Sequence, residues 1–168
     1  MKKQIEAIIR KAKNADSGAI ASIYNEHVAR GMSTMDRVNK SAKDVAKWLK
    51  GFKKNELLVV LEENHELVGW GIIKRYSDRE GYSYAAETAV YLRSEKIGKG
   101  YGSYLKTWMI KECKRLGYHH LVAKIFTSNH SSIKYNLKLG YTIVGIQKEI
   151  GCINGKWIDV TILQLVLN

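Results

Sequence analysis

Glu87-Thr88-Ala89-Val90-Tyr91-Leu92, then Arg93 to Lys99, then Gly100-Tyr101-Gly102-Ser103 is the stretch that decides how the rest of the chain is read. An apolar, β-branched run leads into a basic loop with Gly98, Gly100 and Gly102 on alternate positions, and a helix follows. Glycines let a backbone turn its N–H groups inward, and the first turn of a helix leaves N–H groups free along a favourable dipole. The stretch therefore reads as a phosphate cradle, with Lys96 and Lys99 adding positive charge. A dinucleotide fingerprint would sit in the first βαβ unit and need an acidic residue about 20 positions on. Here the loop lies past the middle of the chain and His119 to Leu121 occupy that place. No Gly-Lys-Ser/Thr follows, which removes the nucleoside-triphosphate loop as well.

Working outward, 168 residues at 45% hydrophobic predict one domain, 1–168, with a full core. No apolar run of membrane-spanning length, no signal-peptide pattern and no lipidation motif is present, so the expectation is a soluble, cytoplasmic protein with no membrane partner. Cys113 and Cys152 stand 39 positions apart with no histidine at ligand spacing, which predicts reduced thiols and no metal site. The 28 basic and 16 acidic side chains give a net charge of +12. Basic residues are spread along the whole chain without a basic arm or recognition motif, so nucleic acid is not the expected partner.

The pattern predicts a strand over Ile5–Arg10, a helix to about Ala29 with Ile20, Ile23, Tyr24, His27 and Val28 on one face, and a polar loop from Gly31 to Asn39. Ser41 caps a second helix carrying Val45, Trp48, Leu49 and Phe52. Leu57–Glu62 and Leu67–Arg75 form a hairpin in which Gly69 and Gly71 signal a bulge or a close approach. A long strand over Tyr82–Leu92 enters the cradle, and the helix from Tyr101 buries Leu105, Trp108, Met109 and Leu116 before Gly117. His120–Phe126 is a buried strand parallel to Tyr82–Leu92, because a helix separates the two. Asn129–Leu139 is a short helix, and Tyr141–Ile150 and Trp157–Leu167 close the chain as a hairpin around Gly151 to Lys156. The fold class is α+β, a mixed, mostly antiparallel sheet of six to seven strands flanked by about four helices. Its cradle lies at the carboxyl end of a parallel strand, where open sheets bind ligands.

Two motifs carry a resemblance that covers essentially the whole chain. Ile97-Gly98-Lys99-Gly100-Tyr101-Gly102 is similar to the Gln/Arg-x-x-Gly-x-Gly/Ala of motif A in the GNAT superfamily of acetyl-coenzyme A-dependent N-acetyltransferases, with Ile97 in the leading position. Asn129-His130-Ser131-Ser132-Ile133 and Leu139-Gly140-Tyr141 resemble its motif B. Within the superfamily the chain resembles the phosphinothricin and methionine sulfoximine acetyltransferases: Glu87 precedes Val90-Tyr91-Leu92, and Gly155-Lys156-Trp157-Ile158-Asp159-Val160 matches their final hairpin except that Ile158 replaces a histidine. The resemblance implies a GNAT-like fold and acetyl transfer from acetyl-coenzyme A, by direct attack in a ternary complex, to a small amine such as an amino acid or its analogue. A polyamine, an aminoglycoside, a protein N-terminus, or a non-catalytic acyl-coenzyme A module remain alternatives, and a homodimer is open.

Site roles follow from the same resemblance. Glu87 is the expected base, a carboxylate in a β-rich run where it is disfavoured and costly to bury unpaired; a solvent-facing strand residue is the plainer alternative. The amide of Val90 or Tyr91 would polarise the thioester carbonyl, with Leu92 beside them on the cofactor. Ile97, Gly98, Lys99, Gly100, Tyr101, Gly102 and Ser103 would hold the diphosphate. Asn129 would meet the pantetheine arm or simply cap its helix, with Ser132 and Asn136 nearby. Asn136 stands where the superfamily often has an acidic tyrosine, and the adjacent Tyr135 is expected to point about 100° away around the helix. Lys74, Arg75 and Arg79 would bind a substrate carboxylate, or are solvated loop charge. His119 and His120 are expected on opposite faces of a strand and so as structural residues.

Overall fold

The structure, a computed structural model, describes residues 5–168. The reading of the first residues as lacking a signal sequence lies partly outside that range. Seven strands form one sheet in the order β1-β2-β3-β4-β5-β7-β6, with α1 Ser17–Arg30, α2 Ala42–Gly51, α3 Tyr101–Arg115 and α4 His130–Lys138 packed on it. The strands are β1 Ile8–Lys11, β2 Leu57–Glu63, β3 Glu66–Arg75, β4 Ala85–Leu92, β5 His120–Phe126, β6 Thr142–Ile153 and β7 Lys156–Val166. Every pairing is antiparallel except β4 with β5. The expected α+β architecture and element order hold. Among the described residues no helix is long and apolar enough to cross a membrane.

Two cores form because β2 and β3 are apolar on both sides. Leu57, Val59, Leu61 and Ile73 meet Leu105, Met109 and Cys113 of α3 on one face, while Leu58, Val60 and Trp70 meet Ile20, Ile23, Tyr24 and Val45 of α1 and α2 on the other. The spacing of Ile20, Ile23, Tyr24 and His27 puts them on one stripe of α1, and Gly31 ends that helix in the left-handed region at φ 59. Ser41 and Asp44 make a reciprocal capping box at the start of α2. Gly71 is required by close approach, since an added Cβ would run into Met109 Sδ.

Three boundaries differ from expectation. β1 starts at Ile8, and β4 starts at Ala85 because Glu80–Tyr82 coils into a 3₁₀ turn. The last hairpin is longer than its residues suggested: Asn154 at φ 50 and Gly155 at φ 76 make the whole turn, the two-residue geometry that Asn-Gly favours. Gly151 falls inside β6 at a register shift rather than in the loop, and Gly145 marks a second shift within the same strand.

Candidate active site

β4 and β5 pair for only three residues, Ala85↔His120, Ala86↔Leu121 and Glu87↔Val122. Beyond them β4 stays on β3, while β5 continues on β7 as far as Phe126↔Val160, so the two strands part. The Thr88 carbonyl turns into the gap, where Lys106 Nζ lies 3.3 Å away. Strand alternation puts the backbone groups of Val90 on that same side and those of Tyr91 against β3, where Tyr91 sits opposite Trp70. Val90 is therefore the residue with an amide free to meet a carbonyl in the gap.

The narrow cleft between the parted strands is lined by Thr88, Val90, Lys106, Ala123 and Phe126, and at its far wall by Asn129, Ser132, Tyr135 and Asn136. Ser132, Tyr135 and Asn136 are i, i+3 and i+4 on α4, one helical face. Tyr135 thus enters the cleft beside Asn136, contrary to expectation, because 100° of rotation is no more than the width of such a face. Asn129 caps α4 by accepting from Ser132 N at 3.2 Å. Asn136 Nδ2 donates to Ser132 O at 2.8 Å, which fixes the amide and leaves Oδ1 buried without a partner. That orphan acceptor suits an incoming N–H donor, as an amide-bearing arm would supply.

At the mouth of the cleft Gly98 (φ 79) and Gly100 (φ 92) adopt backbone conformations that L side chains rarely take. Gly100 caps α3, so the amides of Tyr101, Gly102 and Ser103 face outward from its first turn. Lys96 does not add its charge to the cradle as expected. It is tied to Glu63 of β2, which also accepts from the Tyr101 hydroxyl, so both side chains serve packing and Tyr101 offers the cradle only its backbone. Ile97 packs on the α3 core, and Lys99 is exposed on the loop.

Glu87 lies on the opposite face of the sheet from Lys106, the face of Tyr91 and Trp70. It is neither buried nor unpaired: Lys124 of β5 holds its carboxylate at 2.7 Å, and its side chain is 38% exposed. Lys74 sits directly opposite Glu87 in register, on that face. Arg75 pairs with Ala86 and so falls on the α3 face, and Arg79 lies exposed in the loop before β4. The three expected carboxylate binders are thus not brought together, since alternation separates the first two. Beside Glu87 a groove of about 430 Å³ runs over β4, β5, β6 and β7, lined by Tyr76, Tyr84, Val122, Val144 and Ile162. His119 and His120 both border it, rather than lying on opposite faces, because His119 precedes the strand. Among the described residues no three His, Cys, Asp or Glu side chains cluster to hold a metal.

An aromatic cluster supports the same face. Tyr91 stacks on Trp70 at 4.4 Å between centroids and meets Tyr24 and His27 edge-on at 5.1 and 5.2 Å. Tyr24, its phenol pushed up to about 12 by burial, reaches out to Thr34 at 2.6 Å and Asp36 at 2.7 Å, fixing the loop after α1. His27 donates from Nε2 to the Leu92 carbonyl at 2.8 Å, so Nδ1 accepts from Ser33 at 2.6 Å, and burial holds the ring neutral. Sequence reasoning missed Lys106, Lys124 and Ser33. Lys106 left a signal, since it shares the apolar stripe of Gly102, Met109 and Cys113; Lys124 and Ser33 left none.

The model of the acetyltransferase (GNAT) domain matches residues 9–162. Among curated relatives, an L-methionine sulfoximine/L-methionine sulfone acetyltransferase of Salmonella typhimurium is 33% identical over 95% of this chain and 94% of its own length. An L-amino acid N-acyltransferase of Escherichia coli is 32% identical over 95% and 94%. Among solved structures, a phosphinothricin acetyltransferase from Sinorhizobium meliloti in complex with acetyl-coenzyme A superposes with a TM-score of 0.91 at 29% identity, covering 98% of this chain and 90% of that one.

Proposed function

Because the chain belongs to the GNAT acetyltransferase family and is an acetyl-coenzyme A-dependent N-acetyltransferase, we propose that its acceptor is the α-amine of a free amino acid or analogue of the methionine sulfoximine and phosphinothricin type. The observation that carries this reading is the parting of β4 from β5, with the glycine cradle at one end and the Glu87 carboxylate on the open face. Acetyl-coenzyme A fits the residues present: the amides of Gly98 to Ser103 suit a diphosphate, the orphan Asn136 Oδ1 suits a pantetheine amide, and the cleft between them is narrow. Bound there, it supplies an activated acetyl group.

The chain's own residues do the rest, by direct attack in a ternary complex. Val90 N–H lies where it can donate to the carbonyl oxygen as negative charge develops, and an oriented backbone donor in a cleft that excludes water is a strong source of rate. Glu87 receives the acceptor's proton, directly or through one water. A carboxylate is a much weaker base than the amine it serves, so Glu87 must act as the proton leaves. Lys124 and Lys74, both on its face, supply positive charge for an acceptor carboxylate.

The reading further holds that the chain works as one domain in the cytoplasm, where unpaired Cys113 and Cys152 stay reduced. Exposed Ile143, Val144, Ile146 and Trp157 on the β6–β7 hairpin support a homodimer, which light scattering tests. For the activity, amino acids, sulfoximine and phosphinic analogues, polyamines and aminoglycosides are screened by thiol release. Turnover confined to the amino-acid class is expected. Turnover of polyamines or aminoglycosides alone overturns the acceptor assignment.

A further inference from the structure

Lys106 is the one lysine of α3 turned into the protein: it is 2% exposed and no carboxylate touches it. Its Nζ donates to Thr88 Oγ1 at 2.6 Å and to Thr88 O at 3.3 Å, and it lies 5.1 Å from the centre of the Tyr141 ring. An ammonium has three protons to give, and among the described residues nothing takes the third. Lys106 also lines the cleft between β4 and β5. A cation placed for packing alone would be an expensive choice here, because a methionine fills the same space without desolvating a charge.

We propose that Lys106 is the acid that protonates the sulfur of coenzyme A as it departs. The inference rests on the acetyl-transfer reading above. The acceptor nitrogen bonds to the acetyl carbon and gives up a proton on the Glu87 side. The carbon–sulfur bond breaks, and its electron pair leaves on sulfur. The Lys106 ammonium gives that sulfur a proton, and the neutral amine regains one from water after the thiol leaves.

The other polar groups of the cleft do not suit this task. Asn136 presents an acceptor oxygen, and its amide N–H groups, one of them bonded to Ser132, are no acid for a thiolate. Tyr135 has a hydroxyl, but burial raises it above its ordinary value near 10, so it would surrender its proton uphill to a thiolate whose acid titrates near 8.5. Tyr141 is raised by burial in the same way. Burial acts on a lysine in the opposite sense and brings Lys106 down to about 7, so that it gives its proton to the thiolate downhill. The remaining titratable and charged groups facing it are Cys113 on α3, its thiol pushed up to about 12 by burial, Glu87 through β4, and Lys124 on β5, which is occupied with Glu87.

Lys106→Met is compared with the wild type and with Tyr135→Phe, using acetyl-coenzyme A and an S-acetyl aryl thiol whose anion leaves without help. With acetyl-coenzyme A, Lys106→Met should reduce kcat about 10²-fold, and with the aryl donor by less than about threefold, as expected when only protonation of the leaving group is lost. Coenzyme A bound to the wild type, followed by the ultraviolet absorbance of its thiolate, should titrate at lower pH than when bound to the variant. If Lys106→Met does not fold, the wild type still decides. Its kcat should fall as pH rises above about 7 with acetyl-coenzyme A and not with the aryl donor. The same loss with both donors, the same thiol titration in both proteins, or a Tyr135→Phe variant that alone shows the leaving-group dependence overturns the assignment. Failure of the acetyl-transfer reading itself is distinct: the wild type then turns over no amine, while the thiol titration can still be measured.

Discussion

Lys124 sets its ammonium 2.7 Å from the Glu87 carboxylate, so the group we propose as the acceptor's base has a cation beside it. Lys124 is 44% exposed and Glu87 38%, so solvent screens the pair and its worth to stability is small. Its value lies in placing one negative and one positive group side by side, the complement of an amino acid's ammonium and carboxylate.

Glu87→Gln should leave acetyl-coenzyme A affinity unchanged and lower turnover about 10² to 10⁴-fold, the range for a positioned base. The deficit should shrink at high pH, where the acceptor arrives already deprotonated. A pH–rate profile superimposable on the wild type's would remove Glu87 from the reaction.

Lys124→Met should raise KM for an amino-acid acceptor about tenfold, the equivalent of one charge-assisted hydrogen bond of about 1.5 kcal/mol, and leave KM for acetyl-coenzyme A alone. Steady-state kinetics with an amino acid and with its amide measures this. If both acceptors suffer equally, Lys124 does not read the carboxylate.

Gly102 separates shape from charge at the cradle. An added Cβ there would meet Tyr135 Cε1 at 3.5 Å and Leu92 Cδ1 at 3.7 Å, ordinary contacts, so Gly102→Ala should fold normally. Gly102→Asp places a negative charge against the diphosphate and should weaken acetyl-coenzyme A at least about 100-fold by calorimetry, about 2.7 kcal/mol. Equal effects of the two changes would mean that the site excludes bulk rather than charge.

The stability of the protein should depend on pH through Lys106. In the unfolded chain this lysine titrates near its ordinary value of 10.5, and in the fold near 7. Between those values the unfolded chain binds more protons, so native stability rises with pH across the window. Lys106→Met removes the penalty, so its gain over the wild type should be largest below about pH 7 and fade toward 10.5. Urea titrations at both ends of the window read it, and a gain independent of pH would mean that the lysine is not desolvated.

Tyr24→Phe removes the hydrogen bonds to Thr34 and Asp36 and should cost about 1 to 2 kcal/mol. Proteolysis within residues 31–39 should then become faster, while the aromatic packing on Trp48 and Tyr91 remains.

The shape of the glycine loop was readable from sequence because glycine spacing and a helix start are local facts: Gly98, Gly100 and the turn into Tyr101 fold as their residues dictate. The element order was readable for the same reason. What could not be read was long-range. Lys96 looks like cradle charge until Glu63, 33 residues earlier, takes it. Glu87 looks like a buried base until β5 turns out to carry Lys124 in reach, and Arg75 looks equivalent to Lys74 until the register with β4 assigns them to opposite faces. The point where β4 and β5 part depends on β4 following β3 and β5 following β7 on its other edge, pairings between segments far apart in the chain that no local pattern records.

That parting has a consequence for how the molecule tolerates its own backbone. Unpaired strand edges ordinarily invite another chain to add on, and proteins guard them with charge, bulges or covering elements. From Thr88 onward β4 is such an edge, but it lies inside the sheet, facing the end of β5 across a narrow cleft that Lys106 of α3 also lines. The chain can therefore keep amide groups permanently ready for pairing without the association hazard they would bring outside. On the proposed reading the same opening favours a slender, extended molecule with amides of its own, which can meet the free β4 groups where a folded polypeptide would not fit.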